Sequence, residues 1–84
     1  MTSMSRLRKL YQQVQANPRT VRFGALQRLL LEAGFKERHP GGSHYTYTKG
    51  SLRITIPYRR PYILEVYIRL VLQLLEGEVF DEID

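Results

Sequence analysis

Two stretches of strict alternation decide most of what this 84-residue chain can fold into. Ser43-His44-Tyr45-Thr46-Tyr47-Thr48 carries an aromatic ring at alternate positions, and Ser51-Leu52-Arg53-Ile54-Thr55-Ile56-Pro57 carries an aliphatic side chain at alternate positions. A period of two puts such residues on one face of a strand. Lys49-Gly50 lies between the stretches, so the pair reads as an antiparallel hairpin. With Lys49-Gly50 as a two-residue loop, Tyr45 faces Ile54, Thr46 faces Arg53 and His44 faces Thr55. Cross-strand partners share a face. One face therefore collects Tyr45, Tyr47, Leu52, Ile54 and Ile56. The other collects His44, Thr46, Thr48, Arg53 and Thr55, with His44 diagonal to Arg53. A slip of one residue would bury the histidine and expose the aliphatics, which the apolar pattern opposes.

The apolar face needs a cover, and the rest of the chain supplies helices. Leu7, Leu10, Tyr11 and Val14 fall at i, i+3, i+4 and i+7, which predicts a helix over residues 3–15. Asn17-Pro18 ends it, because the residue before proline avoids helical angles. Residues 16–20 are a short linker. A second helix is predicted over residues 21–33, with Thr20 as its N-cap and Phe23, Leu26, Leu29, Leu30 and Ala33 as its apolar stripe. Gly34 stands where a left-handed residue closes a helix. Residues 35–39 read as a first strand and Pro40-Gly41-Gly42 as a turn. Pro61 is expected to open a last helix over residues 62–76, since proline suits a first helical turn. Only Glu65, Arg69 and Gln73 interrupt its apolar surface, four residues apart, on one narrow stripe. The predicted fold class is α+β, in the order α-α-β-β-β-α, with a three-stranded antiparallel sheet.

Charge narrows the partners. Thirteen Lys and Arg stand against eight Asp and Glu, a net charge of +5. Five of the carboxylates fall in the last nine residues, at Glu76, Glu78, Asp81, Glu82 and Asp84. Residues 1–75 hold all 13 basic residues against 3 acidic ones, a net charge of +10. A body this basic attracts polyanions, nucleic acid above all, whereas the plainer reading is a solvated surface. The acidic tail either folds over the basic face and weakens that attraction or stays in solvent. There is no cysteine, which excludes a disulfide framework and Cys-ligated zinc or iron–sulfur sites. No apolar run is long enough to span a membrane, and no signal-peptide core is present. The expected location is the cytoplasm.

Gly41-Gly42-Ser43-His44 launches a titratable ring from a flexible loop onto the polar face of the hairpin. A neutral imidazole there can take the proton of a ribose 2′-hydroxyl, and nearby guanidiniums can stabilise charge developing on the phosphate. Arg53, Arg59 and Arg60 are the candidates for that, with Lys36 and Arg38 as further phosphate contacts. The alternatives are an ordinary surface histidine and solvated loop charges. His39 reads as a loop surface residue, with a second acid–base role as its alternative. The register turns Tyr45 and Tyr47 into core residues rather than base-stacking platforms, which leaves Tyr58 and Tyr62, flanking the arginines, for stacking. Two histidines and few carboxylates in the body make no convincing metal cluster, so neither metal nor cofactor is expected.

Phe23-Gly24-Ala25-Leu26 through Ala33-Gly34-Phe35, then Gly41-Gly42-Ser43-His44-Tyr45, then Ile54-Thr55-Ile56-Pro57, resembles the HicA (YcfA-like) family of toxins over residues 17–76. Asn17-Pro18-Arg19-Thr20-Val21-Arg22-Phe23 and Pro61-Tyr62 look like a branch of that family with an N-terminal helix. Residues 1–16 would be the helical extension and residues 77–84 an acidic tail. The resemblance implies a fold like the double-stranded-RNA-binding domain, with helices against one face of the sheet. It implies an mRNA interferase, a metal-independent endoribonuclease with His44 as its catalytic residue and Ser43 beside it at the RNA. It also implies a HicB-like antitoxin as protein partner. A non-catalytic RNA-binding module of the same fold, and an interaction protein docking through its apolar last helix, are the competing readings.

Overall fold

The computed structural model describes the backbone over residues 3–81 and the side chains over residues 6–77. It is an α+β domain with α1 at Ser3–Ala16, α2 at Phe23–Glu32, β1 at Lys36–Arg38, β2 at His44–Lys49, β3 at Leu52–Pro57 and α3 at Glu65–Asp81. The three strands form one antiparallel sheet in the order β1-β2-β3. The helices cover one face and leave the other open. No described helix is long and apolar enough to cross a membrane.

The alternating pattern places the sheet's faces. Tyr47 and Ile56 are fully buried, and Tyr45, Leu52 and Ile54 pack partly buried against the same core. The helices meet them with Leu7, Tyr11 and Val14 from α1, Leu26, Leu29 and Leu30 from α2, and Ile68, Val71 and Leu75 from α3. Helix α1 thus belongs to the same apolar core as the sheet. Each aliphatic side chain fully withdrawn from water contributes about 1.5–3 kcal/mol. Among the described residues the hydroxyls of Tyr11 and Tyr47 are the polar groups on buried side chains, and no charged side chain is buried.

The hairpin register differs from the expected one by two residues. His44 pairs with Pro57, Tyr45 with Ile56, Thr46 with Thr55, Tyr47 with Ile54, Thr48 with Arg53 and Lys49 with Leu52. The loop is Gly50-Ser51. Gly50 has φ +59°, and among the described residues only glycines have positive φ. That fits a type II′ hairpin turn, in which only the first central residue is left-handed. A Lys49-Gly50 loop would instead put lysine at that first position. Because the shift is even, every side chain keeps its expected face.

Helix ends show what local patterns miss. The close of α2 follows expectation: Gly34 has φ +95°, its N–H reaches Leu31 O, and Phe35 N–H reaches Leu30 O. This pair of bonds is the Schellman arrangement. Lys49 strengthens it by donating from Nζ to Ala33 O at 2.6 Å, a cation on a helix C-terminus. The start of α2 does not follow expectation. Its N-cap is Arg22 in extended geometry with no side-chain cap, not Thr20. Val21 is buried, and its carbonyl accepts Ile63 N–H at 2.9 Å, which holds that segment out of the helix. The same bond commits the Ile63 N–H to Val21, and α3 starts at Glu65 rather than after Pro61. Helix α3 also runs past Glu76 through Gly77 to Asp81. The side chains of the acidic tail beyond Gly77, and any fold of that tail over the basic face, lie outside the described residues. The polar stripe of α3 is present: Glu65 takes Arg69 at 2.6 Å and Arg19 at 3.3 Å. The hydrogen bond from Arg69, and then the charges of Arg69 and Arg19, hold the Glu65 carboxyl below its usual value.

Tyr47 ties three elements. Its hydroxyl donates to Glu37 Oε1 at 2.7 Å, and Gln27 Nε2 of α2 donates to the same oxygen at 2.7 Å. Burial first, then the bond to Glu37 and the carboxylate charge, hold the Tyr47 hydroxyl well above the ordinary tyrosine value. Burial and the charge of Glu76 also raise Tyr11, whose hydroxyl reaches Leu72 O. An unfolded tyrosine loses its proton near pH 10. A group with a raised folded pKa contributes its full stability below that pH and loses it as pH rises through the folded pKa. Stability should therefore fall as pH climbs beyond about 10. In Tyr47→Phe that alkaline slope should shrink, at a cost near neutral pH of about 0.5–1.5 kcal/mol. Denaturant melts at neutral and alkaline pH read both, and equal slopes for parent and variant would refute the tie. Cross-strand NOEs should join Thr46 to Thr55; joining Thr46 to Arg53 would instead restore the Lys49-Gly50 loop.

Candidate nucleic-acid interface

The open face of the sheet reads as three rungs. Lys36, Thr48 and Arg53 form the first, Arg38, Thr46 and Thr55 the second, and His44 with Pro57 the third. Rungs on one face lie about 6–7 Å apart along the strands. None of these side chains is acidic, and Thr46 Oγ1 and Thr55 Oγ1 hydrogen-bond across the middle at 3.1 Å. The face is a basic, hydroxyl-rich plane with the imidazole at one end.

This geometry changes which cation accompanies His44. Arg53 stands two rungs away, about 13 Å along the strand, at the opposite end of the face. The expected diagonal contact between His44 and Arg53 is absent, because the Gly50-Ser51 turn advances β3 by two residues. Arg38 takes that place. It pairs with Thr46, one rung from His44 on the adjoining strand, and such diagonal neighbours lie about 7–8 Å apart. Lys36 shares the far rung with Arg53.

His44 is the first residue of β2 and is exposed. Among the described residues no hydrogen bond or ion pair holds its ring. Ser43, just before it, is exposed and uses its carbonyl to accept Tyr58 N–H at 2.6 Å, which extends the β2–β3 pairing beyond Pro57. His39 lies on the other side of the sheet. Its ring stacks on Tyr45 at 3.8 Å between centroids and 11° between planes, and Nε2 is 2.7 Å from Gly42 O. The two histidines therefore do not share a face. His39 instead belongs to an aromatic cluster in which Phe23 packs on Tyr45 at 4.5 Å and on Tyr58 at 5.0 Å.

Arg59 and Arg60 are also off the sheet plane. They line a groove of about 470 Å³ between residues 22–24 at the start of α2 and the corner at residues 58–61. Arg22 from the start of α2 lines the same groove, its guanidinium 5.9 Å from the centre of the Tyr62 ring. Tyr58 forms part of the wall and remains 40 % exposed. Nothing in the local sequence singles out Arg22. Its neighbours Arg59 and Arg60 are remote in the chain, and the Val21–Ile63 hydrogen bond brings the two segments together. Among the described residues, no three His, Asp or Glu side chains gather as a metal-ligand set.

Compared with family models, with curated proteins and with solved structures, the chain matches nothing.

The two basic regions generate separate expectations for polyanion binding. Heparin affinity should weaken on Arg38→Gln and on Arg59→Gln by similar factors, because each removes one exposed charge. Elution from a heparin column at rising salt measures this, and a variant that elutes with the parent marks an arginine outside the basic surface.

Proposed function

We propose that this domain is a metal-independent endoribonuclease of the HicA kind, the toxin of a toxin–antitoxin pair, with His44 as its acid–base residue. The observation that carries this reading is His44 exposed at the head of β2, one rung from Arg38, on a sheet face without a carboxylate. The likeness of Gly41-Gly42-Ser43-His44, and of the segments around it, to that family supports it. A HicB-like protein is then the partner that would cover the open face.

The chemistry follows from the side chains present. RNA lies across Lys36, Arg38 and Arg53, which meet phosphates and carry no sequence information themselves. The neutral His44 imidazole takes the proton of a 2′-hydroxyl. The freed oxygen forms a bond to the adjacent phosphorus, and the bond from phosphorus to the 5′-oxygen breaks. That oxygen takes a proton from the imidazolium or from water, leaving a 2′,3′-cyclic phosphate and a 5′-hydroxyl end. Arg38 stabilises the charge gathered on the phosphoryl oxygens.

One feature favours a second reading, an RNA-binding module that does not cut. No hydrogen-bond partner among the described residues orients the His44 ring, whereas His39 has both a stacking and a hydrogen-bond partner.

Incubating RNA with chelator present separates the two. His44→Ala should cut about 10²–10⁴-fold more slowly than the parent, the usual worth of a positioned acid–base group. Equal cutting by both chains would remove His44 from the chemistry, and salt-sensitive binding without cutting by either would establish the module. Arg38→Gln should lower the cleavage rate even at saturating RNA. Arg53→Gln should weaken binding and leave the saturated rate close to the parent's. The reverse order would place the cut at the other end of the sheet.

A further inference from the structure

The acid–base chemistry belongs to the open face, but a second concentration of positive charge lies around the corner from it. Arg22, Arg59 and Arg60 line one concavity, and none of the three forms an ion pair among the described residues. Three guanidiniums gathered with no carboxylate among the lining residues repel one another, and an anion between them relieves that repulsion. The groove volume of about 470 Å³ falls within the range of small-ligand sites. An exposed aromatic ring, Tyr58, stands in its wall with Phe23 packed behind it at 5.0 Å. Phosphate-binding cations beside an accessible ring are the two elements of a single-strand binding site.

Position supplies the third argument. Tyr58 follows Pro57, the residue paired with His44, and its N–H is bonded to the carbonyl of Ser43. The groove therefore begins at the strand end where the imidazole stands. A strand that crosses the open face and turns over this end enters the groove directly.

We propose that the groove is a subsite for one nucleotide of single-stranded RNA, its phosphate held among Arg22, Arg59 and Arg60 and its base laid on Tyr58. This rests on the RNA reading and names the substrate class as single-stranded. In a duplex both faces of a base are covered by its neighbours, so Tyr58 has nothing to stack on. The Arg22 guanidinium lies over the Tyr62 ring, 5.9 Å from its centre. The groove residues position the strand and take no part in proton transfer.

The test reads binding alone, in the His44→Ala background, so that no probe is cut. Fluorescence anisotropy follows a 12-nucleotide single strand, the same strand in duplex, and an abasic strand of equal length. Adding Arg22→Gln and Arg60→Gln together should weaken the single strand at least tenfold. It should also flatten the dependence of log affinity on log salt by up to about 0.7, the value for the one phosphate of a single strand that is no longer neutralised. Tyr58→Leu should weaken the single strand about fivefold or more and leave the abasic strand unchanged. Each variant side chain is exposed, and an unchanged thermal midpoint separates weaker binding from loss of fold. Single-strand binding that ignores the groove variants overturns the proposal. So does an equal loss for the duplex and the abasic strand on Tyr58→Leu, a poly-glutamate peptide that competes as well as RNA, or no RNA binding at all. Groove-dependent binding by a parent chain that cuts nothing would end the nuclease reading and leave this subsite standing. Cutting that depends on His44 but not on the groove would do the opposite.

Discussion

Burying Tyr47 is the constraint on which the sheet depends. Its ring is fully withdrawn from water in the middle strand, and its hydroxyl has to find a partner when it is. Glu37 on β1 provides that partner and accepts Gln27 from α2 on the same oxygen. One side chain thereby sets which face of β2 is inward, holds the short edge strand beside it, and anchors the helix above. With the inward face settled, the side chains between must point outward. His44, Thr46 and Thr48 occupy the open face because Tyr45 and Tyr47 occupy the other. The position of the candidate chemistry is a by-product of packing.

The same distinction separates what could be read in the chain from what could not. Properties with a short period were legible. Leu7, Leu10, Tyr11 and Val14 specify α1, Gly34 marks the close of α2, and the alternation through Ser43–Thr48 and Ser51–Pro57 assigns the faces. Features decided by distant partners were not. Thr20 has the chemistry of an N-cap, yet Val21 gives its carbonyl to Ile63 and the helix waits until Phe23. Pro61 has the chemistry of a helix start, yet the same bond delays α3 until Glu65. The candidate site divides in the same way. The exposure of His44 follows from alternation, but its neighbouring cation depends on which residues form the turn. A left-handed Gly50 in first place decides that, and brings Arg38 rather than Arg53 to its side. Arg22 enters through tertiary structure alone.

The Val21–Ile63 bond has a wider effect than its single hydrogen atom suggests. It joins the segment before α2 to the segment before α3, and the mouth of the arginine groove lies between them. The aromatic cluster of His39, Tyr45, Phe23 and Tyr58 supports that mouth from the core side. Charge that would otherwise be spread over two flexible loops is held in one place by one backbone bond and four rings. A rigid backing of this kind suits a surface that must meet a flexible strand, since the ordering cost then falls on the ligand rather than on the protein.

The Gly50-Ser51 turn leaves this hairpin a coarse adjustment. Moving β3 against β2 by one residue would turn the core outward, so the strands can slide only in steps of two. Such a step keeps Tyr47 opposite an aliphatic residue and keeps the open face hydrophilic. What it exchanges is the residue lying diagonal to His44. Losing Thr48 and Lys49 while keeping the turn would return Arg53 to the imidazole's neighbourhood. Related chains whose hairpins differ in length by two residues would thus share one core and carry different electrostatic surroundings for the same histidine.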